Sequence, residues 1–301
     1  MEKLLIGTRG SALSIAQTNI VVKKIAYAYP EIECELVRIK TMNEKIDRTK
    51  EKATDKDIYT KEIDAALLDG SIDIAVHSLK DLKNELDKGI ALAAVPDRAS
   101  PFDFLAIRKG IDENAVTKVG TSSMRRAVQI KNILKNAAVE EMHGNVDTRL
   151  KALESGRVDA LVLASAGIAR LGYEIKGREL GIGEMVPAIG QGALAITARS
   201  ADKYAIRIAK GINDPKAEAE AKAERAFGMV FGIGCNVPIG ALALSGNDTI
   251  AITGFLSDMR GRMQIKKSIS GPAADPEALG RRLGKLMAED GGNDIIAESG
   301  K

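Results

Sequence analysis

A hydroxyl, an ammonium and a carboxylate follow one another at the end of a short apolar run. The run from Ile72 to Val76 has the length and β-branched content of a buried strand in a parallel sheet. Directly after it come Ser78, Lys80 and Asp81. Ligands of such sheets bind outside the carboxyl ends of the strands, so this stretch is a candidate active site. The alternative is a solvated Lys–Asp pair that opens a surface helix, and these residues alone do not separate the two interpretations.

An arginine and a serine lie where the first predicted strand meets the first predicted helix. A strand pattern over residues 3–7 is followed by Arg9 and Ser11, and a helix is predicted from about residue 12 to residue 27. Backbone N–H groups at a helix N-terminus attract anions, and an arginine beside them indicates a bound carboxylate or phosphate. An ordinary capped helix is the alternative interpretation.

A later part of the chain repeats this organisation in outline. Gly70 and Asp73 precede one apolar run as Gly156 and Asp159 precede another, and the turn after the first strand recurs at 120–126. Both halves read as strands alternating with helices, for which parallel strands with crossover helices are the expected packing. The sequence therefore predicts two similar α/β lobes that face each other across a cleft.

The repeated turn is rich in hydroxyl groups and cations. Thr121, Ser122 and Ser123 offer hydroxyl and N–H groups at the start of a predicted helix, and its first turns carry Arg125 and Arg126. Cations at this end oppose the helix dipole, which indicates that a negative group is bound nearby.

Polar residues also lie at the ends of later elements. Arg149 belongs to a helix capped by Asn145, and Arg170 lies in a short helix after an apolar strand. Gln191 stands between two glycines, which indicate a chain crossing or the close approach of a ligand. The strand at 194–198 is predicted to return to the sheet of the first lobe.

The last part of the chain predicts a small α+β domain with a cysteine on an open loop. Asp214 and Pro215 start a helix, and strand-like runs follow between residues 241 and 270. Cys235 stands among glycines, where its thiol is a nucleophile, a covalent attachment point or an inert loop cysteine. No His or second Cys is spaced for zinc, so no metal is predicted.

Composition and charge set limits on the function. With 301 residues, 45% of them hydrophobic, the chain is a globular protein of two or three domains. Lys and Arg outnumber Asp and Glu by only 44 to 41, and there is no Trp, which argues against nucleic-acid or membrane binding. No charged leader precedes the first strand pattern, so we expect a cytoplasmic protein.

Ordered motifs along nearly the whole chain resemble those of the porphobilinogen deaminase family, also called hydroxymethylbilane synthases. The motifs lie at residues 8–13, 77–81, 120–126, 144–150, 187–193 and 234–240. The resemblance implies a transferase that joins four porphobilinogen units head to tail, with loss of ammonia each time. Hydrolysis then frees hydroxymethylbilane for tetrapyrrole (heme) biosynthesis. A dipyrromethane cofactor, attached through a thioether to Cys235, is also implied.

The resemblance further implies an α/β fold class, with two lobes like those of periplasmic binding proteins plus a small α+β C-terminal domain. The predicted boundaries are residues 1–95 with 190–210, residues 96–189, and residues 211–301 for the domain with the cofactor cysteine. The expected partners are porphobilinogen and the growing oligopyrrole, with no nucleic acid and no membrane. We expect a monomer.

Within this family, the residues described above take particular roles. Each pyrrole brings an acetate and a propionate, so the growing chain is a polyanion that requires cations and hydroxyl donors. Asp81 is the expected catalytic residue, because its carboxylate would stabilise the cationic azafulvene left by ammonia and assist proton transfers. Besides covalent Cys235, the expected cofactor-binding residues are Ser78, Lys80, Thr121, Ser123, Arg125, Arg126 and Arg149. The expected substrate-binding residues are Arg9, Ser11, Lys56, Ser122, His143, Arg170 and Gln191.

Some positions depart from the family pattern. Lys56 lies in the charged stretch 41–58, which is typical of a lid loop, but aspartates replace the family's glycines on both sides of it. His143 stands where the family has an arginine. An imidazole loses its charge near pH ~6.5 and a guanidinium does not, so anion binding there is expected to weaken as pH rises. The alternative is that His143 has turned away or only caps the following turn, and that Arg149 and Arg170 carry the anions alone. Gly232 replaces an acidic residue of many relatives.

Two other classes of protein would share a two-lobed fold: solute-binding proteins and the effector domains of regulators. The sequence shows neither an export signal nor an additional DNA-binding domain, and the predicted third domain presents Cys235 towards the cleft. These features favour the enzyme. An aldehyde reagent for pyrroles separates the classes, because only the enzyme should react.

Overall fold

The computed structural model describes residues 2–40, 57–83, 85–232 and 237–299. Two of the predicted site residues, Lys56 and Cys235, lie outside these ranges. The chain forms two compact units, Met1–Arg98 with Ala193–Ala221 and Ala99–Gly192 with Lys222–Lys301. The three domain boundaries given above remain a prediction.

Helices and strands alternate through most of the chain. The first half contains β1 (Glu2–Thr8), α1 (Ala12–Ala28), β2 (Ile32–Arg38), α2 (Asp57–Leu68), β3 (Ile74–Ser78), β4 (Ile90–Ala94), β5 (Asp103–Ile107), β6 (Lys118–Gly120), α3 (Met124–Ile133), β7 (Ala138–Glu140) and α4 (Val146–Glu154). The second half contains β8 (Ala160–Ala164), α5 (Ser165–Leu171), β9 (Gly177–Leu180), β10 (Leu194–Arg199), α6 (Lys203–Lys210), α7 (Pro215–Val230), β11 (Ile239–Ser245), β12 (Thr249–Ser257), β13 (Gln264–Pro272), α8 (Pro276–Met287) and α9 (Asn293–Ser299). Within the described ranges, no helix is long and apolar enough to cross a membrane.

The first unit is built on a five-stranded sheet with the order β2-β1-β3-β10-β4. β1 is parallel to β2 and β3, and β10 is antiparallel to β3 and β4. The predicted return of the strand at 194–198 to this sheet is therefore confirmed. All of β3 is buried, but the strand lies two residues later than predicted, so that His77 and Ser78 belong to it. The carboxyl ends of the parallel strands meet at one edge, which we call the first carboxyl edge.

The second unit contains a sheet with the equivalent order, β7-β6-β8-β5-β9. β6 is parallel to β7 and β8, and β5 is antiparallel to β8 and β9. The expected parallel packing is therefore confirmed for the first three strands of each sheet, but each sheet also has an antiparallel strand in fourth place, which the sequence did not predict. Both antiparallel strands follow a point where the chain passes between the units, so no crossover helix precedes them to set them parallel.

The predicted internal repeat is confirmed by matching ion pairs in the two lobes. Asp73 accepts a hydrogen bond from Arg199, at the end of β10, at 3.3 Å, and Asp159 accepts one from Arg108, just after β5, at 3.0 Å. Each carboxylate also accepts a backbone N–H from the neighbouring parallel strand, β1 at 2.8 Å and β6 at 3.1 Å. The glycines three residues earlier both have positive φ, 83° and 77°. In each lobe, the aspartate thus ties the start of the third strand in the sheet order, β3 or β8, to the parallel strand on one side and the antiparallel strand on the other.

The C-terminal part of the second unit is a three-stranded antiparallel sheet, β11-β12-β13. Phe227 of α7 and Met287 of α8 pack against Gly254 on its central strand. Glu224 of α7 is fully buried, and its carboxylate accepts the backbone N–H groups of Gly190 at 2.7 Å and Ala243 at 2.9 Å. The predicted fold class is confirmed: an α/β protein with two mixed five-stranded sheets and a small C-terminal α+β part.

A neutral histidine lies inside the first sheet. His77, on β3, is 7% exposed, and its Nε2 lies 3.1 Å from Thr197 Oγ1. Burial, with a smaller contribution from the positive charge of Arg9, lowers the pKa of His77 from 6.5 to about 4. The imidazole therefore remains uncharged in the folded protein at pH values where an exposed imidazole gains a proton.

We predict that this histidine makes the protein less stable in mild acid. The unfolded state gains its proton near pH 6.5, so the stability is complete above that pH and is lost as pH falls towards the folded pKa of about 4. Between about pH 7 and pH 5 the unfolding free energy should fall by roughly 2 kcal/mol from this group. Urea unfolding of wild type and His77→Gln measures the difference. An equal loss in both proteins would contradict the prediction.

Candidate active site

Arg9 and Asp81 meet at the first carboxyl edge. Arg9 follows β1, and Asp81 closes a 3-10 turn, Leu79–Asp81, that continues from β3. Arg9 Nη2 lies 3.9 Å from Asp81 Oδ2, and 40% of the Asp81 side chain is exposed. Lys80 lies in the same turn and is partly buried. The structure thus brings together a carboxylate, open to a ligand, and the predicted cation from the first motif.

Two of the predicted hydroxyl groups lie at the same edge. Ser11 is the N-cap of α1, and its Oγ accepts the backbone N–H of Ser14 at 3.2 Å. Ser78 is buried at the end of β3, and Gln17 Nε2 donates to its Oγ at 2.8 Å. A hydroxyl that accepts this hydrogen bond retains its own proton to donate to an anion. The sequence analysis missed Gln17, because an amide inside a predicted helix carries no signal beyond its polar type.

In the second lobe, two separate motifs come together around Arg149. Its Nη2 donates to Ser122 Oγ at 3.2 Å, and its Nε donates to Gly144 O at 3.1 Å. The loop is closed by the backbone N–H of Ser123, which donates to Thr121 Oγ1 at 3.1 Å. Ser123 is the N-cap of α3, but its side chain makes no capping hydrogen bond. A cation and a serine hydroxyl thus lie at the start of α3, as predicted for an anion site.

Arg125 and Arg126 are held by a carboxylate that the sequence analysis did not single out. Asp103, on β5, has no exposed surface, and its oxygens accept hydrogen bonds from Arg125 Nη1 and Arg126 Nε, both at 2.8 Å. Gln191 Nε2 donates to the same carboxylate at 3.0 Å. We call these residues the Asp103 cluster. The negative group predicted beside the two arginines is present in the chain itself.

Charges inside the Asp103 cluster stabilise one another. Burial alone would raise the pKa of Asp103, but the charges of Arg125 and Arg126 outweigh burial and hold it well below the ordinary 3.8. Burial lowers the pKa of Arg126, and the negative charge of Asp103 opposes that change. Backbone carbonyls accept further hydrogen bonds, from Arg125 Nη1 at 2.7 Å and from Arg126 Nη1 at 3.0 Å. These bonds fix both guanidinium groups in one orientation.

The remaining described site residues lie in different surroundings. Arg170 Nη2 donates to Gly192 O at 2.7 Å, which ties α5 to the turn that carries Gln191. His143 is 73% exposed in its side chain, and its Nε2 lies 2.9 Å from Glu141 Oε1. The carboxylate beside His143 is therefore the chain's own. The assignments of these residues to substrate remain predictions.

Two family descriptions match this chain. Residues 4–207 match "Porphobilinogen deaminase, dipyromethane cofactor binding domain". Residues 218–289 match "Porphobilinogen deaminase, C-terminal domain". The first match contains both lobe sites described above, and the second contains all three strands of the C-terminal sheet.

Full-length relatives agree with these matches. A probable porphobilinogen deaminase of Nitrosopumilus maritimus is 38% identical over 97% of this chain and 95% of its own length. The porphobilinogen deaminase of Thermus thermophilus is 41% identical over 99% of each chain. Among solved structures, the LysR family transcriptional regulator CbnR aligns with a TM-score of 0.44, at 11% identity over 71% of each chain.

We predict that Asp103→Asn destabilises the second lobe. The amide keeps the size of the side chain but removes its charge, which leaves two buried guanidinium groups without a counter-ion, at a cost of about 3–5 kcal/mol. Because the folded pKa of Asp103 is lowered, its stabilisation is present above pH 3.8 and disappears as pH falls through the folded value. Urea unfolding near neutral pH measures the loss.

Glu35→Gln serves as the control for that measurement. It removes the same charge from the exposed Lys3–Glu35 pair, whose side chains are 58% and 53% exposed. Exposed pairs contribute about 0–1 kcal/mol. Equal, small effects of the two substitutions would show that Asp103 is not the counter-ion on which this lobe depends.

Proposed function

The chain belongs to the porphobilinogen deaminase family, and from that premise we propose which of its residues carry the reaction. It is a porphobilinogen deaminase, an enzyme of tetrapyrrole biosynthesis. The observation that carries the assignment of roles is the contact between Arg9 and Asp81, 3.9 Å apart at the first carboxyl edge. There, a carboxylate and a cation are presented together to a substrate that contains both charges.

Asp81 is the catalytic residue in this proposal. The reaction breaks the carbon–nitrogen bond of the aminomethyl group, with ammonia as the leaving group. The activated unit then forms a carbon–carbon bond to the free α-carbon of the pyrrole that receives it, and that α-carbon loses a proton. Positive charge develops on the substrate pyrrole between these steps, and a carboxylate fixed nearby stabilises it. Asp81, partly exposed and held beside Arg9, can also move the proton released at the α-carbon.

Cations and hydroxyl groups of the first lobe bind carboxylates of both the substrate and the cofactor: Arg9 and Ser11 serve the substrate, and Ser78 and Lys80 serve the cofactor. Arg9 supplies a guanidinium, and Ser11 supplies a hydroxyl at the N-terminus of α1, where the helix dipole adds positive potential. The Ser78 hydroxyl accepts a hydrogen bond from Gln17, so its own proton is available to donate to a ligand carboxylate. Lys80, in the same turn as Asp81, adds an ammonium.

The second lobe suits the family's dipyrromethane cofactor by the chemistry of its donors. Acetate and propionate groups require cations and hydroxyls, and the start of α3 provides both, with Arg149 fixed on Ser122 at 3.2 Å and the Ser123 hydroxyl not used in capping. When bound, the cofactor supplies the pyrrole to which substrate units are added. The cofactor-binding residues of this lobe are Thr121, Ser123, Arg125, Arg126 and Arg149. Cys235, outside the described residues, forms the thioether.

The other predicted residues complete the substrate site in this proposal. Gln191 acts through the Asp103 cluster, because its amide donates to that carboxylate at 3.0 Å. Ser122, Arg170 and His143 bind the growing oligopyrrole, as does Lys56, which lies outside the described residues. The protein works as a cytoplasmic monomer. Sedimentation at the concentration used for assay tests the oligomeric state.

We expect Asp81→Asn to lower kcat by about 100- to 1000-fold, since it removes one preorganised charge from the developing cation. Folding and attachment of the cofactor should survive. Asp87→Asn is the matched control, because it removes a carboxylate that is 48% exposed and bound to Lys83 in the same lobe. Single-turnover release of ammonia measures both variants. Near wild-type turnover of Asp81→Asn would remove Asp81 from its proposed role.

A second experiment tests the attachment site by intact mass. Wild type should carry an adduct of two pyrrole units, and Cys235→Ser should lack it, because a serine hydroxyl is a far weaker nucleophile than a thiolate. Cys34→Ser should keep the adduct. Cys34 lies on β2, where burial raises the pKa of its thiol and keeps it protonated. An active wild type without the adduct would contradict the proposal.

A further inference from the structure

Arg38 adds a cation to the first carboxyl edge that the sequence motifs do not contain. It is the last residue of β2, paired in register with Thr8 at the end of β1. Its side chain is exposed, and Nη2 donates to Gly10 O at 3.0 Å. The Gly10 carbonyl and the Ser11 N–H form one peptide group. The guanidinium is thus fixed next to the residue that caps α1.

The charge of Arg38 has no counter-ion among the described residues. Its hydrogen bond there goes to a carbonyl, which orients the guanidinium without neutralising it. Arg9 differs, because it lies 3.9 Å from Asp81. At the other end of the same pair of strands, Lys3 also differs, because its ammonium lies 3.4 Å from Glu35. An oriented cation without a carboxylate is suited to bind one from a ligand.

The second lobe shows that the fold does not require a cation at this place. In the repeat, Gly7 corresponds to Gly120. Each glycine pairs with a residue of the neighbouring strand, and the next residue along that strand is Arg38 in the first lobe and Glu141 in the second. Glu141 is exposed beside His143. The same backbone position therefore carries opposite charges in the two lobes, which indicates that Arg38 serves the first lobe's ligand and not its architecture.

We propose that Arg38 binds one carboxylate of the incoming porphobilinogen and so contributes to substrate specificity. This inference rests on the proposed function of the first carboxyl edge. Porphobilinogen has two carboxylates, and the positive charge of Arg9 is shared with Asp81. Arg38 provides a further guanidinium, fixed on Gly10 O and not paired with a carboxylate of the described residues. It holds the carboxylate through charge-assisted hydrogen bonds and takes no part in proton transfer.

Arg38→Gln and Arg38→Lys test the proposal by steady-state kinetics. Gln keeps an N–H donor for Gly10 O but removes the charge, so KM for porphobilinogen should rise by about 5- to 20-fold with kcat nearly unchanged. Lys keeps the charge without the planar fork, so its KM should lie between those of wild type and Arg38→Gln. The KM of wild type should rise more steeply with salt than that of Arg38→Gln, since one ionic contact has been removed.

Lys3→Gln is the matched control, because it removes one positive charge at the opposite end of the β1–β2 pair. Its KM should equal that of wild type. Equal KM values for Arg38→Gln and Lys3→Gln would overturn the inference, as would a fall in kcat at constant KM. A lower urea midpoint of Arg38→Gln with unchanged KM would also overturn it, because Arg38 would then only join β2 to the turn. A binding measurement tests Arg38 independently of the catalytic assignment. It compares the equilibrium affinity for porphobilinogen of Asp81→Asn with that of the double variant Asp81→Asn/Arg38→Gln.

Discussion

The buried carboxylate of Asp103 is the constraint on which the second lobe depends. A carboxylate without solvent can remain charged only where cations and hydrogen-bond donors surround it, and here Arg125, Arg126 and Gln191 do so. These partners come from α3 and from the turn before β10. The charge of Asp103 therefore holds β5, α3 and this turn together, and it orients the guanidinium groups that we assign to the cofactor. Stability and binding are coupled through it.

A different use of charge builds the common scaffold of the two lobes. Asp73 with Arg199, and Asp159 with Arg108, join the third strand of each sheet to its antiparallel strand. In the second lobe the pKa of Asp159 is lowered to about 2, first by the hydrogen bond from the Thr117 hydroxyl and then by the one from Arg108, with smaller contributions from the backbone N–H groups of Thr117 and Lys118. Ion pairs of this kind belong to the architecture and are separate from the ligand sites.

The ligand sites arise where the lobes stop resembling each other. At the first carboxyl edge, the partly exposed carboxylate of Asp81 lies close to Arg9. His77, on the preceding strand, is uncharged because it is buried. At the corresponding edge of the second lobe, Arg149 is fixed on a serine hydroxyl. The first edge thus presents a carboxylate close to a cation, whereas the guanidinium of Arg149 at the second edge is bound to a neutral hydroxyl. This difference fits catalysis on an aminomethyl pyrrole in one lobe and binding of a polyanion in the other.

The sequence by itself determined the α/β class, the repeat and the positions of Arg9, Ser78 and Asp81, because strand and helix periods and turn residues are local signals. Only the tertiary structure decided that Asp103 is the partner of Arg125. Asp103 lies 22 residues away, on an apolar strand whose pattern gives no sign of a buried ion pair. The sequence also did not indicate that β5 and β10 are antiparallel, because strand direction depends on where the chain crosses between the units. Contacts between residues distant in sequence are determined by tertiary packing, and tertiary packing produces no periodic pattern in the sequence.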